Sequence, residues 1–452
     1  MEYVPAEYSG SVRKTLLHYP VGSESMFTGR IRFIFAGFIF KIALDISYAT
    51  FLTNAFEDHF LTPFPVNFDI IQYAESFIWL LIILATVPFS SRSAGGLAFF
   101  SALVFLYIPV ATIFGMDDER SRYTLFLSTL AIMSAYLVDA LNFGRRVKIP
   151  IPLRGERTLL ALSLLFVALF LLNAAVSGAL FSMNFNIDNV YEFRSELGAK
   201  INVGLFAYTN LWAQKVFTPL IFAIGLRRKS FWLICFALAM HAIYFGVTQH
   251  RSHLFSPILV FAAFILYRSN FSYAKGFAVF SVALCSATVV ILVFKLDALG
   301  ALIIRRALFV GASAAYSWVE YFSENAKVFF ADNLLAPFVS NQYTGVNLPR
   351  FMGDFMRADR EINFNSGLVG SGFAQLGAFG VILYGGILGM IIRVNRRLIE
   401  SGVPPYIHAA ILFFPFRIAW ADADIFSALL SHGLIVGTFA IWLFGTSKYQ
   451  SA

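Results

Sequence analysis

Two adjacent arginines, Arg305 and Arg306, stand inside the almost unbroken apolar run "ALIIRRALFVGASAAYSWVEYFSEN" (301–325). A guanidinium keeps its proton at any physiological pH, and its planar fork of donors fits phosphate or carboxylate oxygens two at a time. A charge at membrane depth costs roughly 2.5 to 3.5 kcal/mol at the centre on insertion scales, so a retained pair points to an anion. The plainer alternative is two side chains snorkelling to lipid headgroups. Two further arginines invite the same reading: Arg251 in "TQHRSH", flanked by His250 and His253, and Arg417, followed by Asp422 and Asp424. All four are expected to converge on one external cavity. The competing readings are an ordinary loop cation for Arg251 and an ion pair with Asp422 or Asp424 for Arg417.

Other ionisable residues in apolar runs read as structural. Lys41 and Asp45 lie four apart on one helical face and can neutralise each other. Lys215 has no sequence-local partner and is expected either to reach a carboxylate on another helix or to face a cavity. His241 and His432 are expected to be packing residues. No HExxH or CxxC pattern occurs, so no metal and no other cofactor is expected. The two cysteines, Cys235 and Cys285, each sit in an apolar run and offer neither a disulfide framework nor a thiolate metal site.

These residues need a scaffold, and the composition says which kind. Of 452 residues, 58% are hydrophobic and 13% charged, against roughly 45–50% and 25% in soluble domains. The chain therefore reads as an all-α polytopic membrane protein. Stretches near the ~20 residues needed to span hydrocarbon run over 31–52, 70–89, 97–114, 123–141, 159–180, 203–226, 231–247, 254–267, 277–294, 367–392, 406–419 and 425–444. Lys and Arg cluster in every second connection: Arg30 and Arg32, Arg92, the set from Arg145 to Arg157, Arg227 to Lys229, Arg268 with Lys275, and Arg393 to Arg397. The positive-inside rule places those connections, and both termini, in the cytoplasm. The first thirty residues, polar and basic, hold no signal-peptide core.

The resulting layout is a cytoplasmic N-terminus (1–30), nine spans (31–294), a large external loop (295–366), three spans (367–445) and a cytoplasmic C-terminus (446–452). Within the loop, 299–310 is too short to span and is expected to dip into the outer interface. A segment as long as 295–366 is usually functional. The glycines of "GLVGSGFAQLG" follow no strand, so close helix packing is expected of them rather than nucleotide binding, as for Gly385 and Gly389.

The arginine pair, Tyr316, "EYFSEN" with Glu320 and Asn325, and then "NFNSGLVGSGFAQLGAFG" entering a span together resemble the O-antigen polymerases of Wzy type. The likeness covers the whole chain in architecture and residues 250–385 in motif. It implies a GT-C-like membrane glycosyltransferase of the bacterial inner membrane. Donor and acceptor would both be undecaprenyl-pyrophosphate-linked glycans, with membrane lipids and a chain-length regulator as further partners and no nucleic acid. The resemblance implies that Arg251, Arg305 and Arg306 hold pyrophosphate, with Arg417, His250, Asn365 and Tyr316 lining the substrate site. Glu320 is then the first choice of base for the acceptor hydroxyl, with Asp354, His250 and His253 as alternatives. A loop carboxylate paired with Lys327 or an arginine is the other reading of Glu320. Tyr316, Trp318, Tyr321 and Phe322 could stack on sugar faces or form an interfacial belt. An O-antigen ligase is the nearest rival, but 295–366 lacks the histidine expected of one. A twelve-span flippase or transporter is the other, disfavoured by the short connection "RRKS" and the absence of an evident repeat.

Overall fold

The structure, a computed structural model, describes residues 26–55, 64–89, 94–141, 155–185, 200–250, 252–268, 272–332, 337–356, 363–400 and 403–444. Sixteen helical elements carry the architecture. The first nine are α1 (Met26–Ser47), α2 (Ile70–Thr86), α3 (Gly95–Met116), α4 (Arg122–Ala140), α5 (Gly155–Val176), α6 (206–228), α7 (Phe231–Thr248), α8 (Ser252–Arg268) and α9 (Tyr273–Phe294). They are followed by α10 (Asp297–Glu324), α11 (Leu348–Met356), α12 (Leu368–Leu376), α13 (Ala378–Glu400), α14 (Pro405–Ala421), α15 (Ile425–Leu430) and α16 (Leu434–Phe444). No strand occurs among the described residues; one isolated bridge joins Asn67 to Asp117. Nine helical stretches of the described residues are long and apolar enough to cross a membrane, and Ile70–Thr86 and Phe255–Ile265 are shorter apolar helices. The chain is a polytopic membrane protein.

Local chemistry sets the helix ends. Asp69 caps α2 by accepting from the Gln72 N–H at 2.7 Å, and Ser121 and Ser272 do the same for α4 and α9. Lys229, Gln249 and Lys295 close α6, α7 and α9 in the left-handed conformation. α3 is buried along its whole length and forms the centre of the bundle. α13 packs most extensively against α4. There Gly385 and Gly389 press on Ala131, Ser134 and Ala135, and a Cβ on Gly389 would fall 2.6 Å from the Ala135 carbonyl oxygen. Small residues at this seam let two backbones approach without a hydrophobic driving force between them.

Buried charge is neutralised inside the bundle. Lys41 donates to both oxygens of Asp45, at 3.1 and 2.9 Å, and Tyr73 of α2 donates to the same carboxylate at 2.9 Å. The Lys41 ammonium also lies 4.2 Å from the Phe77 ring centroid. Lys215 meets Nδ1 of His432 at the break between α15 and α16. Cys235 and Cys285 are free.

Two expectations about the segment after α9 need correction. The stretch 297–324 is one continuous helix, α10, with a π-helical first part at Ala301–Phe309, and is itself long and apolar enough to cross a membrane. The interruption by Arg305 and Arg306 hid that continuity, because each charge lowers the local hydropathy. The expected single span over 367–392 is instead two helices that turn at Gly377, whose φ of 64° and ψ of −147° suit only glycine. α12 doubles back on the start of α13, where Gly372 and Gly380 allow backbone contact. The segment 326–332 then docks on the end of α12. Val328 and Phe329 donate to the Ala374 and Gln375 carbonyl oxygens. The Gln375 side chain accepts from the Phe330 N–H at 2.6 Å and donates to Asp332 at 3.1 Å. Phe329 and Phe330 have φ of 54° and 60°, a left-handed conformation costly for aromatic residues and held by this docking.

Candidate functional site: an arginine cluster around the first part of α10

The π-helical register of Ala301–Phe309 widens the turn that carries Arg305 and Arg306, and such bulges are frequent at functional sites. Ile304, Leu308 and Phe309 face the protein, while Arg305 is half-buried and Arg306 exposed. The segment is anchored by Gly300 against Phe51 and by Phe309 against Tyr48 and Phe64.

Arg417 reaches this turn from the other end of the chain. Its Nη2 donates to the Ala307 carbonyl oxygen at 3.3 Å, and its Nη1 forms an ion pair with Asp422. The guanidinium also stands 5.2 Å from the Phe105 ring centroid on α3. The Arg417 side chain is 13% exposed and that of Asp422 34%, so the pair is largely sheltered from water. Both readings of Arg417 hold together: it is ion-paired with Asp422, and it touches the arginine-bearing turn.

His253 of the "TQHRSH" stretch lies in the first turn of α8, which packs on α14. Tyr406, in the first turn of α14, meets the Phe264 ring in the last turns of α8 at 5.0 Å, and the helices pack along their length. They therefore run antiparallel, and an equal step from that contact brings His253 on α8 and Arg417 on α14 to one level. His250 is half-buried and His253 buried. Arg251 lies outside the described residues.

Asn365 belongs to the rim. It is exposed in the extended segment before α12, and two residues on, Gly367 is pressed against the backbone of Trp420 and Ala421, next to Asp422. Any side chain at Gly367 would collide there. The glycine-rich motif thus seats an extended strand of chain against the end of α14.

Three expected residues are placed elsewhere. Tyr316 is only 3% exposed, and its hydroxyl donates to the Val110 carbonyl oxygen at 3.1 Å; it is a packing residue, closed to a substrate. Glu320 is exposed but lies fourteen residues beyond Arg306 on α10, a separation of about 20 Å along a helix. Asp354 is exposed and bound to Arg350 at 2.9 and 3.1 Å. Of the aromatic set, Trp318 is buried with its indole N–H on the Phe364 carbonyl oxygen at 3.0 Å, and Phe322 is buried as well. Tyr321 packs on Phe351 and Phe355. Outside the spans, Lys327 donates to the Phe322 carbonyl oxygen and lies 4.2 Å from the Phe373 ring centroid. Partial burial lowers its pKa from the ordinary lysine value.

The sequence reading missed Arg120, which is paired with Asp117 at 2.7 Å and stands 5.9 Å from the Tyr316 ring. Among the described residues no group of three or more His, Cys, Asp or Glu could hold a metal ion. Arg417 thus meets the turn that bears Arg305 and Arg306 through the Ala307 carbonyl oxygen, and a guanidinium is a donor group suited to an oxyanion. Comparison with known protein families, curated proteins and solved structures finds no match.

Proposed function

We propose that the chain is a membrane glycosyltransferase of O-antigen polymerase (Wzy) type, with α1 to α9, α13, α14 and the α15–α16 pair as twelve crossings, α10 entering the bilayer from the external side without crossing it, a GT-C-like arrangement and both termini in the cytoplasm of a bacterial inner membrane. The observation that carries the reading is the Arg417 guanidinium seated on the Ala307 carbonyl, beside the turn bearing Arg305 and Arg306. Three guanidinium-bearing residues from two distant parts of the chain suit a pyrophosphate better than a monovalent headgroup. The positive-inside pattern puts them on the external side.

In this proposal the donor is a glycan on undecaprenyl pyrophosphate and the acceptor a second lipid-linked repeat unit. An acceptor hydroxyl oxygen forms a bond to the donor's anomeric carbon, the bond from that carbon to the phosphate oxygen breaks, and its electron pair leaves with the pyrophosphate. The arginines stabilise the charge that develops on the leaving group, and fixed donors in a partly dry site need little reorganisation to do so. Asp422 holds the Arg417 fork in place. Asn365, at the rim, is suited to hydrogen-bond a sugar hydroxyl. Glu320 is too far along α10 to serve as the base at this centre.

The test uses purified protein and undecaprenyl-pyrophosphate-linked repeat units without nucleotide. A ladder of lengthened lipid-linked glycans, lost in Arg305→Ala and Arg417→Ala, supports the reading. Glycan arriving on added lipid A core would indicate a ligase instead. Movement of intact lipid-linked oligosaccharide across a vesicle bilayer, with no lengthening, would indicate a flippase.

A further inference from the structure

Three histidines outside the arginine cluster form a connected row. His250 stands at the junction of α7 and α8, with its ring centroid 5.9 Å from that of His253 in the first turn of α8. The His253 ring is in turn 6.5 Å from that of His241 on α7. Exposure falls along the row, from half-buried His250 to His253 at 3% and His241 at 2%. The row passes from the level of Arg417 into the protein.

His241 is the unusual member. Neither of its ring nitrogens has a hydrogen-bond partner in the protein. A neutral imidazole carries one donor and one acceptor, and leaving both unmet at a buried site is unfavourable unless water or a mobile proton system fills the gap. Ring centroids 6.5 Å apart leave room for one bridging water rather than a direct bond. Tyr244, from the same helix, flanks both rings at 6.1 and 5.7 Å. Its hydroxyl is engaged by Thr218 of α6 at 2.8 Å. Gln249, in the left-handed turn that closes α7, keeps its side-chain oxygen buried and unbonded at the outer end of the same helix.

We propose that His250, His253 and His241 act as one proton-accepting relay for the transfer reaction, with His250 taking the proton of the acceptor hydroxyl. This rests on the glycosyl-transfer reading and supplies the base that Glu320 does not. As the new bond to the anomeric carbon forms, the hydroxyl proton passes to the His250 imidazole. The extra positive charge is shared between His250 and His253, the outer members of the row, with the buried His241 bridged to His253 through water, while the pyrophosphate departs with its electron pair. The proton returns outward to water once the product leaves. Among the described residues, the groups facing the row are Tyr244 from α7 and the uncharged Thr218 from α6, with the Arg417–Asp422 ion pair at the same level on α14.

The experiment uses the full chain in lipid nanodiscs with ring-¹³C histidine, titrated by NMR, together with the rate of ladder formation as a function of pH. The expected result is a coupled titration, in which His241→Asn moves the titration of both His250 and His253 by at least about half a pH unit. The transfer rate should fall as pH falls through that ionisation, and His250→Asn should remove this limb and lower the rate at least about tenfold. Should His241→Asn fail to fold, the half-buried His250→Asn carries the same test, read on the titration of His253 and His241. Independent titration of the three rings, or an unchanged acid limb in an active His250→Asn enzyme, would overturn the relay and leave the transferase reading intact. Wild-type protein that transfers no glycan at any pH would overturn both.

Discussion

Arg417 shows how a single residue can hold two roles at once. Its ion pair with Asp422 fixes the fork, and its second edge reaches the Ala307 carbonyl oxygen beside the arginine pair. Removal of one preorganised donor from a charge-stabilising site costs about 10²- to 10³-fold in rate, so Arg417→Ala should slow glycan lengthening by that order. Asp422→Asn should slow it less, because the cation remains and only its orientation is loosened; an assay of initial rates on both variants checks the ranking. Glu320→Gln is expected to change the rate by less than about threefold, since α10 carries Glu320 about 20 Å past Arg306. A loss comparable to that of Arg417→Ala would restore Glu320 to the reacting centre. The arginines were legible in the sequence because an uncompensated cation in an apolar run is expensive. Tyr316 and Glu320 were grouped with the arginines by nearness along the chain, whereas Tyr316 is buried against α3 and Glu320 lies exposed farther along α10. The histidine row was half legible: "TQHRSH" announced His250 and His253, while His241 lies too far back on α7 to be joined to them without the fold.

At the scale of elements, most helices were visible as apolar runs, and the seams at Gly385 and Gly389 were correctly read as packing. The helix–turn–helix of α12 and α13 was not, because a glycine at positive φ looks in sequence like any other glycine in a small-residue stripe. The long segment after α9 was read as a loop for an opposite reason: its charges masked a helix. Gln375 is the clasp between that segment and α12, with one side-chain bond to the Phe330 N–H and one to Asp332. Gln375→Ala leaves a buried backbone donor without its acceptor, at a cost of about 1 to 3 kcal/mol. The expected outcome is a lower thermal midpoint and faster proteolytic cutting between residues 326 and 332. An unchanged cutting rate would mean that the Val328 and Phe329 backbone bonds hold the segment without the side chain.

For the whole molecule, alternating basic connections predict which face each segment meets, and hydropathy alone does not. In a background with Cys235→Ala and Cys285→Ala, Gln342→Cys should react with a membrane-impermeant maleimide added to spheroplasts, while Glu400→Cys should react only after lysis. Both side chains are exposed, so a silent site reports sidedness rather than burial. Labelling in the reverse order would turn the molecule over and place the arginine cluster on the cytoplasmic face. The buried pair in α1 bears on how such a molecule is made. Lys41 and Asp45 lie one turn apart on a single helix, so their charges can cancel within α1 before α2 packs against it. Tyr73 belongs to the next helix to be synthesised, and its bond to Asp45 can form only when α2 arrives. α1 therefore does not need α2 in order to enter the bilayer, and α2 finds a polar address already waiting for it.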